Sequence, residues 1–200
     1  MSHQKVVIGL VGQVCAGKSA VSEAFRKHGV RVYDADKSVH EIYGRPEVIA
    51  EVAAMFGPSV LNAAGEVDRK PLGKIVFGDA EHLKRLTSGI IFPRTGAAIV
   101  EAIEAFRKSD APALLLDAPA LFESGREGLC DRIVYVAAPL ERRETWAAKR
   151  GWPPGEIVRR ENMLQRDGEK RSRADALIEN VGTVENLEQE AGRLMRLWTP

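Results

Sequence analysis

The segment Gly12-Gln13-Val14-Cys15-Ala16-Gly17-Lys18-Ser19 constrains this chain more than any other, because it fits G-x-x-x-x-G-K-[ST] between an apolar run and a helical stripe. The run Lys5-Val6-Val7-Ile8-Gly9-Leu10-Val11 does not alternate, which is how a strand reads when helices cover both of its faces. After the loop, Val21, Ala24 and Phe25 mark a helix over residues 19–27, stopped by Gly29. Glycines at such a turn let consecutive backbone N–H groups point at phosphate oxygens, at the positive end of a helix. Lys18 is then placed to reach the β- and γ-phosphates of a nucleotide, and the Ser19 hydroxyl to ligate Mg2+.

The rest of the chain repeats the strand-then-helix theme. Val30 to Tyr33 reads as a short strand running into Asp34-Ala35-Asp36. Between residues 37 and 110 the pattern is helical (48–56, 72–77, 81–90, 97–106), with no strand assigned, so a helical insertion is expected there. Ala113-Leu114-Leu115-Leu116-Asp117 and Arg132 to Ala137 return to the buried-strand pattern, Ala176-Leu177-Ile178 is a last short strand, and 184–197 is an amphipathic closing helix. Strands alternating with helices predict an α/β fold with a central parallel sheet.

Charge narrows the partners. With 29 Lys and Arg against 28 Asp and Glu in 200 residues the formal charge is +1, so no overall basic field exists to hold nucleic acid or an acidic membrane surface. No stretch approaches the roughly 18 uninterrupted apolar residues of a membrane span. Two cysteines, Cys15 and Cys130, suggest no disulfide framework, and a cytoplasmic, reducing setting is expected. Positive charge concentrates between Glu141 and Arg173, where ten Lys or Arg face six Asp or Glu, a surplus of four. Its arginines are Arg142, Arg143, Arg150, Arg159, Arg160, Arg166, Arg171 and Arg173; most belong on a solvated helix face, and one or two are candidates to close over a triphosphate. Gly151, Pro153, Pro154 and Gly155 are expected hinges of such a lid. Of the histidines, His3 lies in a tail and His28 ends a helix, and neither has neighbours at zinc spacing.

Three carboxylates are candidates for chemistry. On an extended strand end Asp34 and Asp36 share a face, so one can take a proton while the other helps hold a metal; the competing reading makes Asp36 the N-cap of the helix through His40 and Tyr43. Asp117 ends its strand before Ala118-Pro119, where an acid can hold Mg2+ directly or through water.

Together these motifs resemble the dephospho-coenzyme A kinase family. The resemblance runs through Gly12 to Ser19, Val32 to Asp36, Val67-Asp68-Arg69 with Leu72 and Val76-Phe77, Asp117 to Glu123, the arginine-rich segment, and Asp175 to Gly182. It implies a three-layer P-loop kinase fold: a core of residues 1–36, 111–140 and 174–200, a helical acceptor-binding insertion (37–110) after the second strand, and a basic lid (141–173). It further implies transfer of the ATP γ-phosphate, with Mg2+, to the ribose 3′-hydroxyl of dephospho-coenzyme A, the last step of coenzyme A biosynthesis. On this resemblance Lys18, Asp34, Asp36, Arg143 and Arg150 are the catalytic candidates, with Asp36 the base. Gly12 through Ala20 hold the nucleotide, Asn180 and Gly182 flank its adenine, and Ser19 and Asp117 hold the metal. A monomer is expected, an oligomer remaining open, with no nucleic-acid or membrane partner.

The sequence departs from the family pattern at three sites. Gln13 and Ala20 stand where the loop usually has glycine and threonine; Phe92-Pro93 replaces His-Pro in the insertion; and Trp146 occupies the place of an arginine four residues before Arg150, with Arg142 and Arg143 one turn earlier. Two other readings stay open: a P-loop kinase for another hydroxyl acceptor, such as a nucleoside or a shikimate-like molecule, and a nucleotide-binding homologue with weakened catalysis. A GTPase is disfavoured because no Asn-Lys-x-Asp motif occurs.

Overall fold

Five parallel strands form the sheet: β1 (Val6–Gly12), β2 (Arg31–Asp34), β3 (Ala113–Asp117), β4 (Arg132–Ala137) and β5 (Ala176–Glu179), in the order β2-β3-β1-β4-β5. The computed structural model describes residues 5–162 and 167–199; His3 and Arg166 lie outside them. β1 is central and buried along its whole length, as its unalternating run predicts. Alternate residues Ile8, Leu10, Leu115, Val134 and Val136 pack with Val21, Ala24 and Phe25 of α1 (Lys18–Arg26) and with Leu187, Ala191, Leu194 and Trp198 of α10 (Val184–Trp198). The intervening residues Val7, Leu114, Leu116, Ile133 and Tyr135 are buried as well, so by the two-residue period the other face is also covered.

The chain divides into two compact units, Met1–Asp34 with Ala102–Pro200, and Ala35–Glu101. The second consists of α2 (Ala35–Tyr43), α3 (Pro46–Phe56), α4 (Arg69–Val76), α5 (Ala80–Leu86) and the first part of α6 (Phe92–Arg107). Its own core gathers Ile42, Val48, Val52, Val60, Leu72, Val76, Leu86 and Ile90. Asp68 and Asp79 cap α4 and α5, each accepting from backbone N–H groups of the first turn.

The two helices read at 81–90 and 97–106 are one helical run. Pro93 cannot donate to Gly89 and its ring crowds that carbonyl, and the run accommodates it through a π turn at Thr87–Ile91, in which Phe92 N–H reaches Thr87 O. The run Ala80–Arg107 is long and apolar enough to cross a membrane. Within the helical unit Ile90 and Ile91 are buried and Arg94 pairs with Glu51 of α3 at 2.6 Å.

In the core unit the basic segment forms α7 (Leu140–Lys149), α8 (Glu156–Glu161) and α9 (Asp167–Ser172). α9 is tied down by charge. Lys170, 1% exposed, pairs with Glu123 at 2.7 Å and donates to the Pro119 carbonyl at 3.0 Å, while Asp167 accepts from the Tyr135 hydroxyl at 2.8 Å.

Candidate active site

Three strands deliver their ends to one edge. β1 runs into the loop, β3 ends on Asp117, and β2 ends on Asp34, with Asp34 and Leu10 both level with Asp117 in the register. Residues in register on parallel neighbours point to the same face, about 4.8 Å apart. Asp34 and Asp117 are therefore the adjacent carboxylates of the sheet edge. Asp36 is not on the strand: α2 begins at Ala35, so Asp36 stands within a helix's first turn, exposed, and neither the shared-face pairing with Asp34 nor the N-cap reading holds.

The loop is shaped by its neighbours. Gly12, at φ 146°, lies so close to β4 that a Cβ there would fall 2.2 Å from the Val136 carbonyl oxygen. Gly17, at φ 89°, caps α1, and a Cβ on it would strike the Asn180 amide at 2.3 Å. The loop closes on itself through Ala16 N–H to Gln13 O (3.2 Å), and Gln13 N–H donates to Val136 O (3.0 Å). Gln13 gains a task a glycine could not perform, its Oε1 accepting from the Ala138 N–H at 3.1 Å. The Lys18 ammonium lies over the loop, donating to the Gly12 and Gln13 carbonyls at 3.4 and 3.2 Å. Ser19 is exposed at the start of α1, and Ala20 packs against the core.

Residues outside the motif hold this edge in place. Ser22, 2% exposed, donates to Asp117 Oδ2 at 2.8 Å, and the signal for it was a hydroxyl within the apolar face of α1. Asn180, 6% exposed, donates its amide to the Ala16 carbonyl at 3.0 Å. Arg142 donates to the Asn180 carbonyl at 3.1 Å and the Gly182 carbonyl at 3.4 Å, and lies 5.6 Å from the Trp146 ring. Arg143 is buried against the Val14 carbonyl (3.3 Å) and Glu161, whereas the exposed Arg150 reaches the Cys15 sulfur at 3.6 Å. Glu156, accepting from Arg159 and Arg160, is held down at about 2.

A parallel sheet in this order, with a GxxxxGKS loop after its central strand and acids ending the two neighbours on one side, defines a P-loop kinase. The chain belongs to the dephospho-CoA kinase family, whose model matches residues 6–186. It is similar to the dephospho-CoA kinase of Bacillus licheniformis, 33% identical over 197 residues that cover 97% of each chain, and to that of Aquifex aeolicus, 37% identical over 182 residues covering 89% of this chain and 90% of the relative. A crystal structure from Thermus thermophilus matches 98% of this chain and all of its own at a TM-score of 0.82 and 32% identity. Shikimate kinase from Acinetobacter baumannii shares the fold, at a TM-score of 0.51 and 19% identity, covering 97% of this chain and 93% of its own.

Proposed function

We propose that this chain transfers the γ-phosphate of ATP to the ribose 3′-hydroxyl of dephospho-coenzyme A, giving coenzyme A and ADP. The observation that carries this reading is the family match along almost the whole chain, insertion included, together with a phosphate loop flanked by two level carboxylates. In this reading Asp36 takes the hydroxyl proton as the oxygen forms its bond to the γ-phosphorus, and the bond from phosphorus to the β,γ-bridging oxygen breaks with its electron pair going to ADP. Lys18 and Arg150 meet the charge that spreads over the equatorial oxygens, and Gly12 through Ala20 cradle the phosphates with backbone N–H groups.

Asn180 and Gly182 border the adenine. Ser19, exposed at the loop's end, and Asp117, oriented by Ser22 at the sheet edge, are oxygen donors suited to Mg2+, which neutralises phosphate charge when bound. The helical unit Ala35–Glu101 supplies the acceptor's surface. The two free thiols fit a reducing, cytoplasmic compartment. Incubation with Mg·ATP and a panel of hydroxyl acceptors tests the assignment: ADP should form rapidly with dephospho-coenzyme A and at background rates with shikimate or nucleosides. Faster turnover on any other acceptor would overturn it.

A further inference from the structure

We propose that Arg143 is a positioning residue that sets the direction of the phosphate-loop amides, and that it does not meet the transferring phosphate. The inference rests on the loop's reading as a nucleotide cradle and goes beyond it. In a planar trans peptide the C=O and the following N–H point in opposite directions. The Arg143 guanidinium holds the Val14 carbonyl outward at 3.3 Å, which turns the Cys15 N–H toward the concave side of the loop. Asn180 does the same for the next peptide but one, holding the Ala16 carbonyl and so turning the Gly17 N–H inward. The peptide that Arg143 holds leads into the one non-glycine residue with positive φ among those described, Cys15 at φ 59°. A side chain in that conformation is strained and persists only where its surroundings impose it.

The means of imposing it are built in. Arg143 and Ala147 lie on one face of α7, at i and i+4, with Arg150 at the C-cap beyond it, and that face is seated on the loop. Val14, Cys15, Ala147 and Ile157 form one buried cluster with Trp152. Arg143 is 6% exposed, and one nitrogen of its guanidinium, Nη1, donates both to the Val14 carbonyl and to Glu161 of α8, which matches its charge. A solvated arginine would suit a group that closes on substrate, and Arg150, exposed at the C-cap of α7, has that character. α7 is thus a buttress of the loop.

Equilibrium titration with Mg·ADP, without acceptor, separates this role from catalysis. Arg143→Met should raise the ADP Kd at least tenfold, raise the ATP KM in parallel, and leave kcat at saturating ATP within about threefold of the parent. The double variant Arg143→Glu with Glu161→Arg restores the ion pair and the thermal midpoint but supplies no donor to the Val14 carbonyl, so its ADP Kd should stay raised. Arg143→Lys, which keeps a donor and a charge, should recover most of the affinity and guards against a Met variant that fails to fold. An unchanged Kd with a hundredfold fall in kcat would make Arg143 a catalytic residue and overturn the proposal; so would full recovery of ADP affinity in the reversed pair. Normal ADP binding by the parent without transfer to dephospho-coenzyme A would reject the proposed acceptor and leave the positioning role standing.

Discussion

Gly12→Ala should damage this protein far more than a single methyl group suggests. Gly12 sits at φ 146°, where a side chain is strained by about 1–2 kcal/mol. Its added Cβ would stand 2.2 Å from the Val136 oxygen and 2.7 Å from the Val136 nitrogen, and both atoms are backbone of the strand paired with β1 in register. Relief requires the two strands to part where Gln13 N–H donates to that same oxygen at 3.0 Å. Overpacking costs about 1–3 kcal/mol and an orphaned buried donor about 1–3 kcal/mol more, for a total with the strain of about 3–8 kcal/mol. At about 2–4 °C per kcal/mol the thermal midpoint falls by about 6–30 °C. Gly151→Ala is the control, because Gly151 has positive φ (72°) with nothing within 4 Å of an added Cβ, so it carries the strain alone. Urea unfolding followed by circular dichroism, with equal m-values, gives both numbers. A Gly12→Ala protein within about 1 kcal/mol of Gly151→Ala would refute the steric argument.

Lys18→Ala should lower kcat/KM about 100- to 1000-fold with the thermal midpoint nearly unchanged, because the ammonium lies at the loop's surface and serves charge that develops in transfer; steady-state kinetics beside a melting curve checks both halves. Lys170→Met should destabilise by about 3–5 kcal/mol in chemical denaturation, since it strands the Glu123 carboxylate beside a lost buried partner. Burial, with Asp131 and Glu127 beside it, pushes the Cys130 thiol from an ordinary 9.0 up to about 12. Between those values the unfolded chain releases a proton that the folded chain keeps, so this contribution is complete below pH 9 and is lost as pH rises toward 12. Cys130→Ala should flatten the alkaline fall by up to about 1.4 kcal/mol per pH unit, read from denaturation at a series of pH values.

Much of this architecture is legible from local pattern. β1, β3 and β4 announce themselves because burial on both faces removes any alternation, and the loop because its residue types are fixed by the task of bending around phosphate. What stays hidden depends on partners far away in sequence. Asp34 and Asp117 become neighbours only through the strand order, and Asp36 reads as extended because nothing in Tyr33-Asp34-Ala35 signals a helix starting without a connecting loop. The π turn before Pro93 is invisible because a proline inside a helical pattern reads as a break. Arg143 looks like its neighbouring arginines until Glu161 and the Val14 carbonyl are seen around it, since charge spacing along a helix does not say which face is buried.

Locating the transferred phosphate tests the proposed reaction most directly. With Mg·ATP and dephospho-coenzyme A, mass spectrometry and phosphorus NMR should show one phosphate gained per ADP released, on the ribose 3′-oxygen. An acceptor lacking only the 3′-hydroxyl should bind and gain none. Phosphate on the 2′-oxygen or the pantetheine arm, or ADP release at an equal rate with the 3′-deoxy acceptor, would contradict the account.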